Sequence, residues 1–192
     1  GLKRFGNWDW SLEGTRSALA TQTGEGAWTG SWGGPNCNTA WTIIFLTYAQ
    51  APLMFNKLQH GQADDWNCRP RDLANLTRWL PTIFEKKIGW QIVSLNLPQD
   101  LHDSPILYIS GRGALTFKPE EKALLKQFVL RGGMILASPG GNSSTFVSSM
   151  QALVAEWFPK HELVPVPPDD PLFNVQKKAV APPRLLGLNN GL

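Results

Sequence analysis

Ile106-Leu-Tyr-Ile-Ser-Gly-Arg-Gly113 decides how this chain of 192 residues is read. A mostly apolar run has the texture of a buried strand and stops at Gly-Arg-Gly. Thr116 and then Pro119-Glu120-Glu121 signal a helix start just beyond it. Strand, glycine turn and helix is the layout that places ligand sites at the carboxyl ends of parallel strands. Neither GxGxxG nor GxxxxGK[ST] occurs at the turn, so a dinucleotide or nucleoside-triphosphate site is not indicated. The stretch implies an architecture and a crevice; the chemistry must come from elsewhere.

Working outward, the same alternation recurs. Met54 to Gln59 reads as a first strand. A helix follows from Pro70, with Leu73, Leu76 and Leu80 facing inward, and Pro81 ends or kinks it. Trp90 to Leu97 reads as the second strand and Ile106 to Ser110 as the third. Only Pro98 to Pro105 separates them, whereas a parallel crossover usually takes a dozen residues or more. Either one helical turn makes the crossing or the strand edges lie elsewhere. The helix after Gly113 runs to Arg131 with Leu124, Leu125, Phe128 and Val129 as its apolar face, and Gly132-Gly133 stops it. Met134 to Ser138 is the fourth strand, and Pro139 to Ser144 the next turn. A helix follows with the stripe Phe146, Val147, Met150, Leu153, Val154, Trp157 and Phe158, stopped by Pro159. Leu163 to Val166 reads as a fifth, proline-limited edge strand. This pattern predicts an α/β fold, a parallel sheet with helices on both faces.

Residues 1 to 52 have a different texture. They hold five of the nine tryptophans, and eight of the eighteen glycines fall by Gly34. A helix is expected over Leu12 to Thr23, then a Gly/Trp loop. Thr39 is expected to cap a second helix, Ala40 to Ala49, striped by Trp41, Ile44, Phe45 and Tyr48. One such hairpin cannot bury its own apolar faces. Gln22, Gly24-Glu-Gly-Ala-Trp28, Gly30-Ser-Trp32 and Thr39-Ala-Trp41 together resemble a repeat of the squalene cyclase and prenyltransferase α/α-toroid superfamily. The resemblance implies a terminal repeat whose partners are toroid repeats of the same polypeptide. The acidic motifs of terpene cyclases are absent, so it implies the scaffold and not that chemistry. An ordinary Trp-rich hairpin packed on the next domain accounts for much of the same composition.

Composition narrows the function classes. Hydrophobic content of 42% and charged content of 17% fit a folded globular chain. The net charge of +3 is spread along the chain, which leaves no nucleic-acid footprint. No run of about eighteen apolar residues spans a membrane. Cys37 and Cys68 lack neighbours at zinc-ligand spacing, and free thiols are expected over a disulfide. The chain begins at Gly1 and reads as mid-domain, so localisation is left open.

Four segments carry a second resemblance: Asp64-Asp-Trp-Asn67, Leu107-Tyr-Ile-Ser-Gly111, Gly132-Gly-Met-Ile-Leu136 and Asp170-Pro-Leu-Phe173. Together they are similar to a bacterial domain-of-unknown-function family whose fold is taken to be class I glutamine amidotransferase-like, a flavodoxin-like relative. The tail Leu185 to Leu192 resembles the lead-in to a further strand, so the domain is expected to be incomplete at its C-terminus. The resemblance also implies where a nucleophile would sit, on the sharp turn after the fourth strand. Here that turn reads Ala137-Ser-Pro-Gly-Gly-Asn-Ser-Ser144 and has no cysteine, and Pro139 removes an oxyanion donor. Ser138 or Ser143 would serve only with a base. His60, His102 and His161 lie in different segments; His60, at the end of the first strand, is in a position to face the pocket but is read first as a surface or packing residue. Relatives more often carry a histidine where this chain has Arg112. A guanidinium cannot shuttle protons near neutral pH. Arg112 would instead pin an anion or form a salt bridge with Asp65 or Asp64, two readings that stand as equals. Adjacent carboxylates such as Asp64-Asp65 and Asp169-Asp170 point opposite ways, so Asp65 is read first as a cap or loop-holding residue. Trp66 lines a pocket or plugs the sheet.

The expectation is therefore a helical hairpin over residues 1–52 and a flavodoxin-like α/β domain over 53–192. The function expected is a non-catalytic ligand-binding or interaction module. Asp65, Trp66, Gly111, Arg112, Gly113, Gly140, Gly141, Asn142 and Ser143 would line one crevice for a small anionic or hydroxylated ligand. No catalytic residue, cofactor or metal is assigned. Two alternatives stand beside it. One is a hydrolase using Ser138, Ser143 or a metal; the other is a docking domain of a larger bacterial envelope protein.

Overall fold

A computed structural model describes residues 4–5, 8–30, 33–49, 51–61, 64–167 and 169–171. The chain divides into two compact units, residues 1–150 and 151–192.

The hairpin forms, with shifted edges. A two-residue antiparallel ribbon, β1 (Arg4–Phe5) with β2 (Trp8–Asp9), leads into α1 (Trp10–Thr21). Asp9 is the cap that the sequence reading overlooked: its carboxylate accepts the Ser11 and Leu12 amides, each at 3.0 Å. Helix α2 (Gly34–Ala49) starts well before Ala40, so Thr39 is not its cap. Inside the helix, the Thr39 hydroxyl instead accepts the Trp28 amide at 3.0 Å. Gln22 Nε2 donates to the Gly26 carbonyl at 3.1 Å, and Trp28 Nε1 to the Ala18 carbonyl at 2.7 Å. Trp28, a loop residue, is thereby tied to α1 and is buried. A Cβ on Gly14 would lie 2.4 Å from the Phe45 ring, so glycine is what lets that ring approach α1 so closely. Trp41, Ile44 and Tyr48, the rest of the expected stripe, are 66%, 46% and 64% exposed.

The α/β part is a four-stranded, all-parallel sheet: β3 (Leu53–Gln59), β4 (Gly89–Ser94), β5 (Ile106–Gly111) and β6 (Met134–Pro139). Its spatial order, β4-β3-β5-β6, is the flavodoxin-like arrangement. Phe55 and Tyr108 face α3 (Asp72–Trp79) and pack with Leu73, Leu76 and Leu80. Asn56 and Leu58 point to the other face, where a 3-10 turn over Pro98–Asp103 lies next to α5 (Pro119–Leu130) through the His102 and Phe128 rings.

The short crossover has a physical answer. Strand β4 ends at Ser94 and not at Leu97, and the 3-10 turn makes the passage. With β4 ending at Ser94 and β5 starting at Ile106, eleven residues (95–105) make the passage, close to the dozen that a parallel crossover usually takes. A buried polar chain anchors it. Asn56 Nδ2 donates to the carbonyls of Asp100 at 3.0 Å and Leu101 at 2.9 Å, and Gln91 Nε2 donates to Asn56 Oδ1 at 3.0 Å.

Pro81 breaks the helix after α3 as expected and opens a short α4 (Pro81–Phe84), while two other edges differ from expectation. Helix α5 begins at Pro119, and it is Glu121 Oε2, accepting the Lys118 amide at 2.8 Å, that secures its start rather than Thr116. Its end is as read: Gly133 donates to the Phe128 carbonyl at 3.0 Å and Gly132 to that of Val129 at 2.9 Å, with Gly132 at φ +91°. Helix α6 (Ser144–Trp157) carries the expected stripe, with Phe146, Leu153 and Trp157 buried. Leu163 to Val166 forms no strand; Pro165 and Pro167 offer no amide to a ladder, and Leu163, Val164 and Val166 are exposed.

Among the described residues, Lys57 and Asp100 are buried charged residues. Lys57, in mid-strand on β3, is 1% exposed. Its ammonium donates to Asp72 Oδ1 at 2.8 Å, Asn67 Oδ1 at 3.1 Å and the Arg69 carbonyl at 3.1 Å. It also lies 5.7 Å and 5.9 Å from the Trp66 and Tyr108 ring centres. Lys57 ties the segment after β3 down onto the sheet.

Candidate ligand site at the carboxyl end of the sheet

Strands β3 and β5 are neighbours although β4 lies between them in the chain, so the strand order reverses there. Ligands of open α/β sheets bind at the carboxyl ends of such a pair. Two features meet at this place: a knot of hydrogen bonds and, beside it, a cleft.

The knot contains most of the expected crevice residues. Asp65 Oδ1 and Oδ2 accept the Arg112 amide at 2.9 and 3.0 Å, and Oδ2 also accepts the Gly113 amide at 2.9 Å. Ser143 Oγ donates to the Arg112 carbonyl at 2.5 Å, and Ser110 Oγ to the Trp66 carbonyl at 2.8 Å. A Cβ on Gly111 would lie 2.8 Å from Asp65 Oδ2, and one on Gly140 would lie 2.8 Å from Cys68 Sγ and 2.9 Å from Arg112 Cγ. Glycine is what lets these three loops close on one another. The Gly113 amide in particular holds the Asp65 carboxyl below its ordinary pKa, with the Arg112 amide and nearby positive charge acting in the same direction. Of the two readings of Arg112, the salt bridge to Asp65 gives way to backbone donors, which hold that carboxylate instead. The turn amides that would suit an anion already hold the chain's own carboxylate.

Trp66 plugs the sheet: it is 7% exposed and lies against the Lys57 ammonium. Gly141 and Asn142 sit exposed on the turn after β6, both in the left-handed region at φ +61° and +58°. Cys37 and Cys68 are free thiols, as expected. Cys68 brings its sulfur to the turn where a nucleophile was sought, but from another segment. Ser143 has committed its proton to a carbonyl, and Ser138 lies beside the Tyr108 hydroxyl. Among the described residues, neither serine is hydrogen-bonded to a histidine, and no three His, Cys, Asp or Glu side chains gather as a metal site.

The cleft is elsewhere than expected. Its volume is about 650 Å³, and it is lined by the ends of β3 and β4 and the loop before α5: Gln59 to Gly61, Ser94 to Asn96, and Thr116 to Lys118 with Glu121. None of the nine expected crevice residues lines it. Of its lining, the sequence points to His60 as a candidate pocket residue, read first as surface or packing, and to Thr116 and Glu121 only as a helix start. Leu95 and Asn96 fall in a strand read three residues too long, and Phe117 and Lys118 in a helix read from just after Gly113, whereas β4 ends at Ser94 and α5 begins at Pro119.

His60 is the most constrained group there. Its Nε2 lies 2.9 Å from the Ser110 carbonyl, and its ring meets Phe117 edge-on at 5.9 Å between centres. Burial lowers its pKa, against the opposing pull of the Ser110 carbonyl and the Asp65 charge. The ring is therefore neutral near pH 7.

Residues 54–184 match the family model of a domain of unknown function, DUF4159. The chain belongs to that family. The match takes in every strand of the parallel sheet and both features of its carboxyl end. No curated protein sequence matches the chain.

Proposed function

We propose that this DUF4159 domain is a non-catalytic binding module, a glutamine amidotransferase-like fold without the cysteine nucleophile, whose small polar ligand occupies the cleft beside His60. The observation that carries the reading is the cleft itself. It lies at the carboxyl ends of β3 and β4, next to the strand-order reversal, and its volume of about 650 Å³ falls within the range of small-molecule sites. Ser143 gives its proton to the Arg112 carbonyl, and among the described residues neither it nor Ser138 is hydrogen-bonded to a histidine, which weighs against a serine hydrolase. Thermal-shift and calorimetric screening of a polar small-molecule panel tests the reading. Binders should lose affinity at least tenfold in Asn96→Leu and Phe117→Ala with the circular dichroism unchanged. Ester or amide turnover that disappears in Ser143→Ala would overturn it.

A second reading concerns the hairpin, and a specific observation favours it. No described side chain of α2 is buried, although the helix is apolar around its circumference. A helix apolar all round belongs inside a structure. We infer that α1 and α2 stack on toroid repeats of the same polypeptide, which would make the α/β domain the partner of a larger helical assembly. Hydrogen exchange on a longer version of the chain tests this. Amides of residues 34–49 should be protected there by at least tenfold over the present chain, and equal exchange would refute it.

A further inference from the structure

We propose that His60 selects the ligand of this cleft, and that the ligand is a neutral polyhydroxylated small molecule donating a hydroxyl hydrogen to His60 Nδ1. The proposal rests on the reading of the cleft as a binding site and names the chemistry that it takes. The Ser110 carbonyl can only accept, so the ring nitrogen 2.9 Å from it, Nε2, carries the hydrogen. A neutral imidazole has one N–H, and Nδ1 is left with a lone pair. Among the described residues Nδ1 has no partner, and it is not among the buried polar atoms sealed from solvent. In a residue that lines the cleft, this is a fixed acceptor waiting for a donor.

The rest of the wall agrees. Gln59 and Asn96 offer side-chain amides that both donate and accept, and Ser94 Oγ accepts the Asn96 backbone amide at 3.3 Å, leaving its own proton to give. Phe117 presents an aromatic ring beside them. An anion meets less that favours it. The Arg112 and Gly113 amides hold Asp65. The cationic Lys118 shares the cleft with the anionic Glu121, and Asp65 adds a further negative charge near His60. An anion facing Nδ1 would set lone pair against lone pair, whereas a hydroxyl turns its hydrogen to the ring. The volume accommodates a molecule the size of a hexose or cyclitol.

Saturation-transfer NMR and calorimetry at pH 7.5 test this, with myo-inositol and glucose as hydroxylated probes and citrate and inorganic phosphate as anionic ones. His60→Asn keeps an acceptor at the same reach, and His60→Phe removes it. Saturation of the hydroxylated probes is expected in wild type and His60→Asn, with at least a tenfold loss of affinity in His60→Phe. Hydroxylated probes that bind His60→Phe equally well overturn the proposal. So does binding of the anions alone, which would leave the cleft as a binding site for another class. Silence from every probe counts against the binding site and the proposal together. Nitrogen shifts of the His60 ring give a check that needs no ligand and no folded variant: a proton on Nδ1 in place of Nε2 overturns the assignment.

Discussion

Replacing Lys57 by Met tests the interior charge that holds the segment after β3. The side chains have similar length, so the change removes a charge and three hydrogen bonds while largely preserving volume. Asp72 would then keep the Leu73 amide at 2.7 Å, with the Tyr108 hydroxyl also near its carboxylate, while its Oδ2 lacks a close hydrogen-bond partner. Its side chain is only 13% exposed, so water reaches it poorly. Breaking a buried pair by removing one partner typically costs about 3–5 kcal/mol. The Asn67 and Arg69 acceptors lie partly exposed and lose about 1 kcal/mol or less each. An expected loss of about 4 kcal/mol is a large share of the roughly 5–15 kcal/mol that holds a domain folded. Removing both charges in Lys57→Met/Asp72→Leu should recover about 2 kcal/mol, because no uncompensated carboxylate remains. Urea unfolding followed by tryptophan fluorescence gives both values. A single variant within about 1 kcal/mol of wild type, or a double variant no more stable than the single, would refute the argument that burial of an unpaired Asp72 sets the cost.

Asp65→Asn should lower stability by about 1 kcal/mol near neutral pH, as charged acceptors make the stronger hydrogen bonds. Because the folded-state pKa of Asp65 lies below its unfolded value, its contribution is present above about pH 4 and lost as pH falls through the folded pKa. The stability gap between wild type and the variant, followed by urea unfolding from pH 6 to pH 2, should therefore close in acid; a constant gap contradicts it. His60 is likewise held below its ordinary value, so its contribution is present above about pH 6.5 and disappears as pH falls through the folded pKa. NMR titration of the His60 ring should give a midpoint below 6.5, and one at or above that value contradicts the burial argument. Gly111→Ala places a Cβ 2.8 Å from Asp65 Oδ2 and 3.3 Å from the Phe146 ring, and should cost about 1–3 kcal/mol by thermal unfolding. Trp28→Phe removes the 2.7 Å bond to the Ala18 carbonyl and should lower hairpin stability by about 1 kcal/mol, seen as faster amide exchange in α1.

Much of the α/β architecture was legible in one dimension because its signals are local. Ile106 to Ser110 reads as a strand from its own apolar run, and Gly132-Gly133 stops α5 because two backbone amides there reach carbonyls only a few residues back. Capping was legible only where the partner lay in the expected place. Asp9 was passed over because the apolar period was counted from Leu12, and Thr39 was misread because its hydroxyl serves a loop eleven residues away.

The site is where sequence ran out. Asp65 meets Arg112 and Gly113 from across the sheet, and His60 meets the Ser110 carbonyl in the same way. Gln59, Asn96 and Phe117 share one cleft only because β3 lies between β4 and β5. The sequence by itself determined that strands and helices alternate, since each element answers to its own period and punctuation. Only the tertiary structure decided which strand ends stand side by side. That depends on a 3-10 turn held over β3 by Asn56, and so on contacts between residues far apart in the chain. Strand order therefore chose the ligand face, filling the Gly-Arg-Gly turn with Asp65 and leaving the open acceptor to His60.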